Sequence, residues 1–145
     1  MSDRFVASLT LPARIQSVRV AASFLVEAAR SFAVPIVDNQ LFEVAIVEAL
    51  NNAVQHNPRD GASNLHCELE VAGHRLTVRV LDEGMRVPVV LTLPAAAVPV
   101  PDPSGERLES IPHDGYGLYL IRAVFPDVRP VTKDGCHGVE LQLSY

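Results

Sequence analysis

The segment Val47-Glu48-Ala49-Leu50-Asn51-Asn52-Ala53-Val54-Gln55-His56 spaces a carboxylate, an amide and an imidazole four residues apart. On a helix, positions i, i+4 and i+8 form one stripe. Glu48, Asn52 and His56 would then stand in line, opposite an apolar stripe. An amide oxygen is a hard ligand suited to Mg²⁺, and a neighbouring carboxylate can act as a general base. The ordinary meaning of such a stripe is a solvated polar face. This one, however, offers Glu48 no lysine or arginine. Asparagine also disfavours helix interiors, so the adjacent pair Asn51-Asn52 costs stability unless the amides have another task.

Two further segments carry chemistry. Leu81-Asp82-Glu83-Gly84 closes an apolar strand. It reads either as a turn or as a carboxylate that accepts a hydrogen bond from a base or ligand amine, with Gly84 letting the backbone approach. Gly115-Tyr116-Gly117-Leu118 opens an apolar helix. Glycines ahead of a helix N-terminus expose amides and the positive end of the dipole, which favours phosphate; taken alone, the ordinary reading of such a pair is a flexible hinge. The chain's one lysine, Lys133, precedes Asp134. That excludes a P-loop, which needs Gly-Lys-Ser/Thr. Any phosphates would have to be held by metal, backbone amides, amide side chains or arginine.

The elements that must position these residues follow from periodicity. Phe5 to Leu11 alternates as a strand, stopped by Pro12. Ile15, Val18, Ala22, Leu25, Ala29 and Phe32 mark one face of a helix that ends before Pro35. A second helix starts after Asp38 or Asn39, both good caps. It buries Phe42, Ala45, Ile46, Ala49, Leu50 and Ala53 and stops near Asn57-Pro58. Arg59 to Ser63 is a turn. Leu65 to Val71 and Leu76 to Val80 form a hairpin around Ala72-Gly73-His74. A segment of about thirty residues, 83–113, lacks periodicity, and loops of that length are usually lids or binding loops. A short helix, Leu118 to Phe125, is closed by Pro126. The last hairpin pairs Val128–Val131 with Val139–Leu143 around Asp134-Gly135. This order implies an α+β fold: a two-layer α/β sandwich with a mixed, mostly antiparallel sheet and helices on one face.

Composition sets the outer limits. The 145 residues, 48% hydrophobic, make one domain, 1–145, with a core that needs no staples. Cys67 and Cys136 form neither a disulfide framework nor a metal spacing. No apolar run reaches the roughly 20 residues of a membrane span, and the N-terminus does not read as a signal peptide. A cytoplasmic protein is the expectation. A net charge of −5 argues against nucleic acid as a direct partner. Six of the eleven prolines (Pro88, Pro94, Pro99, Pro101, Pro103 and Pro112) fall inside the aperiodic segment.

Taken together, in order and spacing, the three segments resemble the motifs of the GHKL (Bergerat-fold) ATPases. The chain is most similar to the small anti-sigma-factor serine kinases of the RsbW and SpoIIAB type, over nearly its whole length. Glu48, Asn52 and His56 match the family's N box, Asp82 and Gly84 its G1 box, and Gly115, Gly117 and Leu118 its G2 box. The resemblance implies Mg²⁺ and ATP as cofactors. Asn52 would coordinate the Mg²⁺. Glu48 would accept the proton of a substrate serine. Asp82 would bind the adenine amino group, and Gly84 would give the base room. The segment Gly115-Tyr116-Gly117-Leu118 would offer amides to the phosphates, and 83–113 would be the ATP lid. Arg107 is the lid cation expected at the γ-phosphate. His56 matches in position, and helix-end capping explains it as well. The implied partners are a sigma factor, a STAS-domain antagonist phosphorylated in partner switching, and a second copy of the chain.

Two departures from the family pattern stand out. Arg86 replaces the second glycine of the G1 box. Gly135-Cys136-His137-Gly138 stands where the family has Gly-Thr before its last strand, so the threonine near the adenine is missing. The alternative function is therefore a non-catalytic module that keeps the fold, binds nucleotide weakly and grips regulatory partners.

Overall fold

Side chains alternating by two residues form strands β1 (Arg4–Pro12), β2 (Asn64–Ala72), β3 (Arg75–Asp82), β4 (Asp127–Lys133) and β5 (Cys136–Ser144). Steps of three and four form helices α1 (Ile15–Ser31), α2 (Gln40–Gln55) and α3 (His113–Val124). These come from a computed structural model that describes residues 3–55, 63–83 and 113–145. The sheet order is β1-β2-β3-β5-β4, and each of the four pairings is antiparallel. The expected two-layer α+β sandwich is the one observed.

Local chemistry accounts for the boundaries. Leu41 donates its amide to Asn39 Oδ1 at 3.0 Å, so Asn39 caps α2 as expected. Between α1 and α2 the proline at 35 opens a short 3₁₀ turn, Pro35–Asp38, rather than a plain loop. Asp134 and Gly135 have φ of 52° and 78°, the consecutive positive values of a type I′ hairpin.

The helix-facing side of the sheet is apolar. Leu65, Leu69, Leu76, Val78, Val80 and Leu141 are at 0% exposure and pack under Leu25 of α1, Ile46 and Leu50 of α2 and Leu118 of α3. Directly paired strand residues share a face. Leu76, Val78, Val80 and Asp82 therefore all point toward the helices, while Thr77, Arg79 and Leu81 point away.

The far side is an ion network around Arg79. Its Nε donates to Glu140 at 2.8 Å, and its Nη1 donates to Glu68 and Glu70. Lys133 reaches Glu68 at 2.9 Å and Arg4 reaches Glu70 at 3.0 Å. Burial pushes the Glu68 carboxyl up, but hydrogen bonds from Lys133 and Arg79 outweigh it and hold the group below its usual range. The Arg4 hydrogen bond, with help from Arg79, does the same for Glu70. Burial pulls the Arg79 guanidinium down, and Glu140, Glu70 and Glu68 more than restore it.

Gly138 of β5 lies against β3. A β-carbon there would sit 1.8 Å from the Val80 carbonyl oxygen and 2.8 Å from Leu81 Cα. Backbone cannot yield as a side-chain tip can, so this approach requires glycine.

Two outcomes follow. Because Glu68 and Glu70 are held low in the folded state, their contribution is complete above the unfolded value of about 4.3. It is lost as pH falls through the folded value. Glu68→Gln should therefore flatten the acid limb of a stability-against-pH profile, read by urea unfolding between pH 3 and 7. Gly138→Ala should cost about 2–3 kcal/mol in the same assay at pH 7, from overpacking against backbone.

Candidate functional site

Asp82 ends β3 on the helix-facing side and is at 0% exposure. Its two carboxylate oxygens accept from the Ser63 hydroxyl, at 3.2 and 3.1 Å. Ser63, at 3% exposure, immediately precedes β2. Its carbonyl takes the Ala13 amide at 2.9 Å, which ties it to the end of β1. The sequence marks Ser63 only as a turn residue, and its partner lies 19 positions away. Nothing local in the sequence signals that pairing.

Glu48 and Asn52 lie on α2, both half-buried, beside the buried stripe of Ala45, Ala49 and Ala53. Glu48 faces α3. A β-carbon on Gly117 would stand 2.6 Å from Glu48 Oε2, so the carboxylate occupies the space a side chain at 117 would need. Among the described residues no cation pairs with Glu48.

The glycine segment differs from its expected form. α3 begins at His113, not at Leu118, so Gly115, Tyr116 and Gly117 belong to the helix itself. Gly115 falls in the first turn, where amides lack intrahelical acceptors. Gly117 lies beyond that turn, and its visible contribution is the missing side chain beside Glu48. Leu118 is at 1% exposure and serves the core. A helix start that precedes the glycines is unexpected because glycine lowers helix propensity; packing of Leu118, Ile121 and Phe125 on α2 and the sheet overrides it.

The structure also separates the C-terminal glycines. Gly135 makes the hairpin turn, whereas Gly138 is the close-approach residue inside β5. The next residue is Val139, paired with Val80 on the helix-facing side and 2% exposed. Gly138-Val139 therefore occupies the end of the sheet beside Asp82, with a β-branched side chain that carries no hydroxyl. His56, Gly84, Arg86 and Arg107, with residues 84–112 of the expected lid, lie outside the described residues.

Other chemistry can be set aside. Both cysteines are free. Burial pushes the Cys67 thiol up to about 12. Burial, then Glu83, Asp82 and Asp134, raises Cys136. Neither is poised as a thiolate nucleophile. An open cavity of about 400 Å³ lies over the ion-network side of the sheet, lined by Thr10, His66, Glu68, Glu83 and Lys133 among others. Asp82 faces the opposite side, so this cavity is not the site built around it.

The residues fit a Mg²⁺-nucleotide. Asp82 is a buried acceptor suited to an amino group, and the glycine at 117 leaves room for the Glu48 carboxylate between two helices. Among the described residues no group of three or more His, Cys, Asp or Glu could hold a metal alone. A Mg²⁺ carried mainly by phosphates, with one protein ligand, is the form such a site accommodates. Asn52 has the donor for that position. Among the described residues no helix is long and apolar enough to cross a membrane.

No curated protein matches the chain. A crystal structure of the RsbU and RsbW domains of Rv1364c from Mycobacterium tuberculosis is similar over 97% of this chain, with a TM-score of 0.63 and 18% identity. The match takes in 32% of that longer chain, and at this identity it speaks for the fold. Residues 11–144, from the end of β1 through β5, match the histidine kinase-like ATPase domain. With nearly its whole length inside that match, the chain belongs to the family of histidine kinase-like ATPase domains.

Proposed function

We propose that this ATPase-family domain is an anti-sigma factor with protein-serine/threonine kinase activity. It would use Mg²⁺-ATP to phosphorylate a STAS-domain antagonist and release or capture a sigma factor accordingly, in the cytoplasm. The observation that carries the reading is Glu48. It is a half-buried carboxylate, set between α2 and α3 beside Gly117, with no cation partner among the described residues. A carboxylate so placed is suited to take a proton from an attacking hydroxyl. Asn52, one turn further along α2, would hold the Mg²⁺ that neutralises the phosphates, and Asp82 would accept from the adenine amino group. Phosphoryl transfer demands mainly positioning and electrostatics, so a small domain can supply it. The RsbW domain in the similar crystal structure supports this choice within the family. The reading includes a homodimer. β1 ends the sheet, with Phe5 and Val6 44% and 49% exposed, and a second strand can pair with such an edge.

Phosphate transfer to serine or threonine of STAS-domain proteins, followed with labelled ATP, tests the proposal. Glu48→Gln should lower transfer at least a hundredfold and leave nucleotide affinity within a few-fold. Asn52→Ala should weaken Mg²⁺-ATP binding about tenfold or more. Wild-type protein that binds ATP but labels no such partner would reduce the assignment to a nucleotide-binding partner module. Gly117→Ala separates site from scaffold. Alanine favours the helix by about 1 kcal/mol, yet its β-carbon must displace the Glu48 carboxylate. Melting temperature should hold or rise while transfer falls at least tenfold.

A further inference from the structure

The Ser63–Asp82 contact does more than close a turn. The hydroxyl lies 3.2 and 3.1 Å from the two carboxylate oxygens, nearly equidistant, so one proton bridges both. Both residues are buried, at 3% and 0% exposure. Each is held from the other side by backbone. Ser63 accepts the Ala13 amide at 2.9 Å, and Asp82 is paired in the sheet with Leu65 and His137. A carboxylate at the end of a side chain turns easily about its last bond. A donor bridging its two oxygens removes that freedom and fixes the plane of the group. Having donated its proton, the hydroxyl has only lone pairs to offer. The pair therefore presents acceptors to whatever approaches it. Acceptors favour a ligand amino group and repel a carbonyl at the same place.

We infer that Ser63 is a positioning residue for base selection: it locks the Asp82 carboxylate so that the site takes a 6-amino purine and rejects a 6-oxo purine. The inference rests on the reading of the chain as an ATP-binding domain and adds to it a residue outside the three motifs. A merely structural Ser63 would tie the start of β2 to the end of β3 and affect every nucleotide alike. A positioning Ser63 changes the ratio between purines.

The test measures displacement of ribose-labelled fluorescent ATP by ATP and by inosine triphosphate, in the presence of Mg²⁺, alongside thermal melting. Wild-type protein should prefer ATP at least tenfold. Ser63→Ala should lose about tenfold in ATP affinity, the scale of one hydrogen bond to a charged acceptor. Its inosine triphosphate affinity should change less than about threefold, so the preference collapses. Ser63→Thr, which keeps the hydroxyl, should restore the preference. If Ser63→Ala does not fold, Ser63→Cys, with similar size and a weak donor, should show the same collapse. Equal losses for both nucleotides, or an undiminished preference in Ser63→Ala or Ser63→Cys, overturn the inference alone. Wild-type protein that binds neither nucleotide overturns the ATP-binding reading and the inference with it.

Discussion

The register in which β5 meets β3 depends on a close approach that only a glycine at 138 permits. A β-carbon at 138 would lie 1.8 Å from the Val80 carbonyl oxygen, so only glycine fits opposite this stretch of β3, and Gly138 pairs with Leu81. Side chains alternate along a strand, so a slip of one residue exchanges the two faces. In the observed register Arg79 points to the ion network, Val80 to the core and Asp82 to the helices. With β3 held by its hairpin to β2, a one-residue slip of β5 would aim Glu140 into the apolar layer and turn Val139 and Leu141 to the outer face. One glycine thus permits the pairing that brings Glu140 to Arg79 and keeps Val139 in the core.

That division separates two kinds of electrostatics. On the outer face, Glu68, Glu70 and Glu140 share Arg79, with Arg4 and Lys133 at the margin. These charges satisfy each other, and their pKa directions report mutual stabilisation. On the helix side, the Ser63 hydroxyl donates to Asp82, and Glu48 has no cation partner among the described residues. A carboxylate neutralised by arginine is a weak base, and Glu48 is spared that. The chain keeps its matched pairs on the face where they stabilise the sheet, and Glu48 apart from them where α2 meets α3.

Much of this was legible in the sequence because the signals were local. Alternation marked five strands. Steps of three and four marked α1 and α2, and Asn39 marked the start of α2 through its side-chain cap. Asp134-Gly135 marked its own turn. What escaped was either tertiary or contrary to propensity. Ser63 looks like any polar turn residue, since its role depends on a strand end 19 residues away. Gly138 carries no signal of its own in the sequence, since only the neighbouring strand reveals why no side chain fits. α3 begins five residues before the sequence suggests, because burial of its apolar face outweighs two glycines in its first turns. The candidate site was legible as residue types, whereas the contact between Glu48 and Gly117 emerged only in three dimensions.

The junction of α2 and α3 shows what the candidate site asks of the scaffold. Asn51, Asn52 and Gly117 are poor helix residues, and together they disfavour the two helices by about 2 kcal/mol relative to alanine. Around them sit Phe42, Ile46 and Leu50 of α2 and Leu118, Ile121 and Phe125 at α3, all at 1% exposure or less. Burying such side chains stabilises by about 1.5–3 kcal/mol each, and the rings of Phe42 and Phe125 lie 5.9 Å apart across the junction. The apolar contacts therefore exceed the propensity deficit several times over. A packing requirement does not account for the unfavourable residues, because alanine at 51 or 52 would strengthen α2 and leave the buried stripe intact. At 117 alanine would likewise favour α3, and the atoms it would disturb are those of the Glu48 carboxylate. The local sacrifice of helix stability is concentrated on the residues that face the carboxylate or carry the amides, which is the pattern expected when a site rather than a core has set the choice.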